Sequence, residues 1–303
     1  MKILILGAGG VGGYFGARLI QAGADVTYLL RDKRHQNIQA DGLTIETPKE
    51  TFTLQPKSVT RDQLKPEYDL IVLAPKAFDF EDALASLEGA SAKGVFLPFL
   101  NGLNHIQQLD EKFGRDRVMG GVAQIAATIS NTGAVKQLTD LHTLTVGHRS
   151  SAHEALAREF FARCETAGFD RLYSENIEQS LWDKWVYLAT LAGMTTLCRG
   201  NVGKIAASPW GQETMTSFYG ETCAIAAANG FPTKEGAQIK ALALLTKIGS
   251  GFAASMLRDL LQGNMTEHEH ILGQMIERGV AQGIACPLLK AAHTHLVVEQ
   301  DRS

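Results

Sequence analysis

Met1-Lys2-Ile3-Leu4-Ile5-Leu6 runs straight into Gly7-Ala8-Gly9-Gly10-Val11-Gly12-Gly13, and that junction decides the fold. Gly7, Gly9 and Gly12 spell G-x-G-x-x-G at the point where a buried parallel strand turns into a helix. The first glycine permits the tight turn and the second lets backbone approach a pyrophosphate. The third allows the helix to lie close on the strand, so phosphates meet the free N–H groups of the helix N-terminus. Tyr14-Phe15-Gly16-Ala17-Arg18-Leu19-Ile20 reads as the helix and Ala24–Leu30 as the second strand. A plain glycine-rich turn without a ligand is the bland alternative. The expected cofactor contacts are Gly7, Ala8, Gly9, Gly10, Val11 and Gly12.

The end of the second strand addresses which dinucleotide. Folds that prefer NAD usually carry an acid there for the ribose 2′-hydroxyl. This chain reads Leu30-Arg31-Asp32-Lys33-Arg34. A guanidinium at Arg31 offers a bidentate fork and a permanent charge to a 2′-phosphate, which favours NADP. A solvated basic loop explains the same residues without any ligand, and Asp32 leaves NAD open.

The 303 residues suffice for two cores. With 29 basic against 32 acidic residues and a net charge of −3, no nucleic-acid partner is expected. No leader or membrane span is read, and Cys164, Cys198, Cys223 and Cys286 are scattered without a C-x-x-C pair. A cytoplasmic protein with reduced thiols is the expectation.

Two halves follow different grammars. Through about residue 174 short β-rich runs alternate with helical ones: Leu70–Ala74 and Val95–Pro98 are buried strands, and Thr128–Val146 reads as antiparallel strands ending the sheet. A helix over His153–Ala167 and a strand over Phe169–Tyr173 complete this half. From Glu175 onward the pattern is helical, broken at Gly200-Asn201, Gly230-Phe231-Pro232, Gly263-Asn264 and Cys286-Pro287. The expected architecture is α/β, an N-terminal Rossmann-type doubly wound sheet (1–174) followed by an all-helical C-terminal domain (175–303).

Several residues stand in chemically suggestive places. Lys76 follows the Leu70–Ala74 strand on the ligand edge, either bonding the cofactor or starting a helix in solvent. Asn101-Gly102 follows the next strand, where a turn is the simpler reading. Lys184 lies in Ser180–Ala192, a segment apolar almost all round and hence buried. A buried lysine loses its proton more easily, which suits a general acid for carbonyl reduction. The alternative is a lysine that snorkels to water beside Asp183. Glu267 follows Thr266, an N-cap residue type, so ordinary first-turn placement accounts for it. His268 and His270 lie two apart, on different helix faces, so no metal site is expected. Ser255 is unremarkable by itself.

Taken together, the glycine loop, Arg31, Pro75-Lys76, Asn101-Gly102, Leu181-Trp182-Asp183-Lys184, Ser255-Met256-Leu257-Arg258-Asp259 and Thr266-Glu267 resemble the ketopantoate reductase (2-dehydropantoate 2-reductase) family over nearly the whole chain. The resemblance implies NADPH-dependent reduction of ketopantoate to pantoate, in pantothenate biosynthesis. It implies Lys184 as general acid, Glu267 on the substrate hydroxyl, Ser255 on the substrate carboxylate and Asn101 ordering the lysine and nicotinamide. Arg31 and Lys76 would take the 2′-phosphoadenosine end. A homodimer is compatible with this reading. One departure stands out. The family's asparagines four and eight residues after the lysine are Leu188 and Ala192 here, which points to a more apolar pocket. The alternatives are a reductase of a more apolar 2-oxo acid and a non-catalytic NADP-binding regulator.

Overall fold

The computed structural model describes residues 1–87 and 94–301. Contacts divide it into two compact units. One comprises Met1–Leu100 and His105–Ser180, the other Asn101–Asn104 and Leu181–Ser303. Sequence grammar placed the change at 174/175. The strands do stop at Tyr173, and the first turn of the next helix still groups with the strands.

In the first unit, β1 (Lys2–Leu6), α1 (Gly10–Gln21), β2 (Asp25–Leu29) and α2 (Asp32–Asp41) follow in order. They are succeeded by β3 (Leu43–Glu46), β4 (Thr51–Leu54), β5 (Lys57–Val59), β6 (Leu70–Leu73), α3 (Phe80–Ser86) and β7 (Val95–Pro98). Next come α4 (Asn104–Phe113), β8 (Gly120–Ile129), β9 (Val135–Gly147), α5 (Glu154–Arg163) and β10 (Asp170–Tyr173). Five strands form one parallel sheet in the order β5-β2-β1-β6-β7. Numbered among themselves, they run third, second, first, fourth, fifth, so the order reverses beside β1. Doubly wound sheets bind ligands at the carboxyl edge of that reversal, where the glycine loop lies. β1 is buried after Lys2, as a strand covered on both faces must be.

The antiparallel strands after residue 120 do not end that sheet, as the sequence suggested. β8 pairs with β9 in a second five-stranded sheet that also contains β10, β3 and β4. The glycines of α1 explain the arrangement. A Cβ at Gly16 would lie 2.6 Å from Ile5 of the parallel sheet, while one at Gly13 would lie 2.8 Å from Val135 of the second. Helix α1 is thus clasped between two sheets, and its bare faces admit both. Tyr14 and Phe15 fill the same core beside Ile3, Ile5, Val135 and Leu144.

The second unit is helical: α6 (Ile177–Leu197, its first turn belonging to the other unit), α7 (Val202–Ala206), α8 (Gly211–Ala228), α9 (Glu235–Leu245) and α10 (Ser255–Leu261). A π-helical turn (Glu269–Gly273), α11 (Gln274–Ala281) and α12 (Pro287–Gln300) complete it. Asn176 starts α6 by accepting the Gln179 N–H through Oδ1 at 3.1 Å. Arg199 ends it in the left-handed region at φ 49°. Its apolar faces explain its burial: Trp185, Val186, Ala189 and Ala192 are almost completely enclosed. Thr190 bonds Thr222 of α8 at 3.0 Å, satisfying two hydroxyls that burial would otherwise penalise. No helix of the described residues is long and apolar enough to cross a membrane.

Candidate functional site

The glycine loop has the features a pyrophosphate requires. Gly7 adopts φ +89°, open to glycine at little cost, and a Cβ at Gly12 would lie 2.5 Å from the Gly7 carbonyl oxygen. Gly9 caps α1 with no side-chain hydrogen bond, so the first N–H groups of the helix are left for an anion. These backbone donors are the observation by which the loop fits a dinucleotide.

The basic run after β2 divides its labour. Arg31 stands in the N-cap position of α2, and its Nη2 donates to Asp79 Oδ1 and Asp82 Oδ2, both at 2.9 Å. The side chain is 72% exposed, so the pairs are screened. The two carboxylates nevertheless compete for the charge a 2′-phosphate would use. Arg34 has a task the sequence did not reveal. Its Nη2 donates to the Ala8 carbonyl at 3.2 Å and its Nη1 to Gly133 at 2.9 Å, tying the glycine loop to the β8–β9 turn. Lys33 is exposed, and Lys76 is exposed immediately before the turn Ala77–Asp79.

In the second unit, residues distant in sequence meet. Asn101, on the Asn101–Asn104 turn, donates through Nδ2 to Glu267 Oε2 at 3.3 Å. The side chain of Glu267 is buried at 9% exposure. Lys184, one turn into the buried part of α6, feels the Glu267 charge as well. Burial is the larger influence and lowers its pKa to about 8, while Glu267 pulls the other way. Asn101, Lys184 and Glu267 therefore form one polar constellation in apolar surroundings. The Asn-Gly turn serves it directly: Gly102 has φ +73°, and a Cβ there would lie 2.6 Å from the His270 carbonyl oxygen.

Ser255 opens α10, half-buried, and hydrogen-bonds to none of those three among the described residues. The two positions that depart from the family pattern differ from each other. Leu188 is half-buried, whereas Ala192 is sealed at 0% exposure. A further positioning residue was invisible in the sequence. Trp185 Nε1 donates to the Ile271 carbonyl at 3.0 Å, and Arg278 stacks at 5.7 Å over Trp182 and over Trp185.

Residues 3–151 match the family model for ketopantoate reductase PanE/ApbA, and residues 176–298 match the model for its C-terminal part. The chain is 30% identical to an uncharacterised oxidoreductase, YkpB, of Bacillus subtilis, over 98% of each chain. It is 25% identical to a 2-dehydropantoate 2-reductase of Halobacterium salinarum, over 96% of each. Among solved structures, a ternary complex of D-mandelate dehydrogenase with NADH and anilino(oxo)acetate superposes with a TM-score of 0.89. It covers 100% of this chain and 99% of its own at 22% identity, a likeness of fold.

Proposed function

The chain belongs to the ketopantoate reductase family, oxidoreductases acting on a CH–OH group with a nicotinamide cofactor, and from that premise we propose that it reduces a 2-oxo acid to the 2-hydroxy acid. The observation that carries the reading is the partly buried Lys184–Glu267–Asn101 constellation. A lysine with a pKa of about 8 is still protonated at neutral pH and gives up its proton readily, as a general acid should.

A bound reduced nicotinamide supplies the hydride for the carbonyl carbon. Lys184 holds the proton for the carbonyl oxygen and receives a replacement from water after each turnover. Glu267, oriented by Asn101, keeps the lysine charged and accepts a hydrogen bond from a substrate hydroxyl. Ser255 takes the substrate carboxylate. The backbone of Gly7, Ala8, Gly9, Gly10, Val11 and Gly12 holds the pyrophosphate of the cofactor. NADPH is the preferred donor, with Arg31 and Lys76 at the 2′-phosphoadenosine end, and the pairing of Arg31 with two carboxylates makes that preference modest. The unpaired thiols of Cys164, Cys198, Cys223 and Cys286 suit a reducing cytoplasm.

Ketopantoate is the default substrate, and its product pantoate would enter pantothenate biosynthesis. Leu188, half-buried where the family carries an asparagine, favours a second reading, a 2-oxo acid with a more apolar tail. D-mandelate dehydrogenase, a protein of the same fold, is named for an acid with such a tail. A panel of 2-oxo acids, followed by loss of NADPH or NADH absorbance, tests both readings. Turnover of none of them by a folded, cofactor-binding protein would overturn the proposal in favour of a non-catalytic regulator.

A further inference from the structure

His268, Glu269 and His293 bring one ligand atom each within 4.8 Å of the others. The sequence argument against a metal considered His268 with His270. The structure pairs His268 instead with a histidine from α12, 25 positions along the chain.

Each group is held by something specific. The Thr266 hydroxyl donates to Gln300 Oε1 at 3.4 Å, and its oxygen lies 2.9 Å from His268 Nδ1. With Nδ1 engaged by Thr266, Nε2 is the His268 ring nitrogen left to face a ligand. Fixing one ring nitrogen through a neighbour is how ligating histidines are usually oriented. Glu269 Oε2 lies 2.8 Å from His293 Nε2. Its carboxylate occupies the space of a missing side chain, since a Cβ on Gly273 would lie 2.3 Å from Oε1 and 2.8 Å from Oε2. The π-helical turn brings Gly273 under that carboxylate, and π-turns often mark functional positions. The helix that carries His293 is anchored at its start, where both Glu221 carboxylate oxygens accept α12 N–H groups, from Leu288 and Leu289, at 3.0 Å.

We propose that His268, Glu269 and His293 form a binding site for a divalent transition-metal ion of the Zn²⁺ class, outside the Lys184 constellation. Two imidazoles and one carboxylate are a common three-ligand set for zinc, with water in the fourth position. Bonds of about 2.0–2.2 Å hold tetrahedral ligands roughly 3.4 Å apart, so side-chain torsions close the present spacing. The His293–Glu269 contact gives way to the metal, and His293 loses its Nε2 proton to solvent. Magnesium and calcium prefer all-oxygen sets and do not compete. Because His268 directly follows Glu267, occupancy ties the segment bearing that carboxylate to α12.

The test is titration of the metal-free full-length protein with Zn²⁺ by calorimetry, alongside thermal unfolding with and without Zn²⁺. One ion per chain at micromolar affinity is expected, with a higher Tm and no response to Mg²⁺. His268→Ala and His293→Ala should weaken binding by at least ~100-fold, beyond the ~10–100-fold typical of losing an outer partner. His295→Gln, on the same helix, should leave it unchanged. Gly273→Ala keeps a helical residue but pushes the Glu269 carboxylate aside, and should weaken binding at least ~10-fold. Its unfolding without zinc should match the wild type, which separates lost ligation from lost folding. No saturable binding, or binding that survives in His268→Ala and His293→Ala alike, would overturn the site.

Discussion

Trp185 Nε1 donates to the Ile271 carbonyl oxygen at 3.0 Å across 86 positions of sequence, joining the residue beside Lys184 to the π-turn that follows Glu267. The indole is 1% exposed, so its N–H has no water to fall back on. This bond ties α6, which carries the lysine, to the 267–273 segment, which carries the carboxylate. Gly102 presses on the carbonyl of His270 next door, so the turn bearing Asn101 leans on the same segment.

Trp185→Phe removes that donor while keeping most of the apolar volume. Loss of a buried hydrogen bond costs about 0.5–1.5 kcal/mol, so the variant should unfold at lower denaturant with an unchanged m-value. Its kcat should fall several-fold, because the lysine and carboxylate lose their common anchor. Chemical denaturation and steady-state kinetics read both effects, and a variant with wild-type kcat would show that the bond serves stability alone.

The parts that could be read in the sequence were those set by local pattern. The Leu6–Gly7 junction, the apolar circumference of α6 and the helical second half each follow from a few neighbouring residues. The second sheet was not legible, because β3 and β4 are only four residues each and β3 joins the sheet through β9, some ninety positions away. Within the basic run, Arg31 and Arg34 look alike, and only tertiary structure turns one toward Asp79 and Asp82 and the other onto the Ala8 carbonyl. Lys184 drew attention in the sequence because a cation in a helix apolar almost all round contradicts its surroundings. Glu267 stood out only through the family resemblance, since an acid after a threonine is ordinary until Asn101 is placed beside it.

The lowered pKa of Lys184 has consequences for rate and for stability. In the proposed role of general acid the residue must be protonated, so turnover should fall about tenfold per pH unit above pH ~8, and Lys184→Met should lose ~10²–10⁴-fold together with that limb of the profile. For stability the unfolded lysine keeps its proton up to about 10.5, while the native one releases it near 8. Below pH 8 both states are charged and burial costs the native state its full penalty, on the order of 3 kcal/mol at ~1.4 kcal/mol per pH unit. Between about 8 and 10.5 the unfolded state binds more protons, so wild-type stability should rise with pH relative to Lys184→Met. Urea unfolding of both proteins from pH 7 to 10.5 checks this, and parallel curves would mean a lysine that titrates normally.

Cofactor choice should respond to Asp79 and Asp82 as much as to Arg31. Arg31→Ala should weaken NADPH more than NADH, a charge-assisted contact being worth roughly 1.5–3 kcal/mol. Removing both competing carboxylates, as Asp79→Asn with Asp82→Asn, should strengthen NADPH by about tenfold, since exposed charges each contribute up to ~1 kcal/mol. NADH affinity should stay within about twofold. Fluorescence titration of the two cofactors decides it, and equal changes for both would take Arg31 away from the 2′-phosphate.

Substrate choice should turn on Leu188 rather than on both departures in α6. Four and eight residues after Lys184, Leu188 and Ala192 lie about 40° and 80° around the helix from it. Leu188 is half-buried, whereas Ala192 is enclosed. An asparagine at 192 would overpack a closed site at roughly 1–3 kcal/mol, so Ala192→Asn should lower Tm without improving any substrate. Leu188→Asn has room to offer an amide. A substrate hydroxyl without a partner costs about 1–3 kcal/mol, on the order of 10- to 100-fold in affinity, while each buried CH₂ contributes about 0.8 kcal/mol. The wild type should therefore reduce a 2-oxo acid with a purely apolar tail at least as well as ketopantoate. Leu188→Asn should raise kcat/KM for ketopantoate about tenfold and lower it for the apolar acid. Glu267 is the opposing influence, since its carboxylate can bind the hydroxyl by itself. If it does, the wild type will prefer ketopantoate strongly and Leu188→Asn will change little, and an apolar pocket at Leu188 would then play no part in specificity.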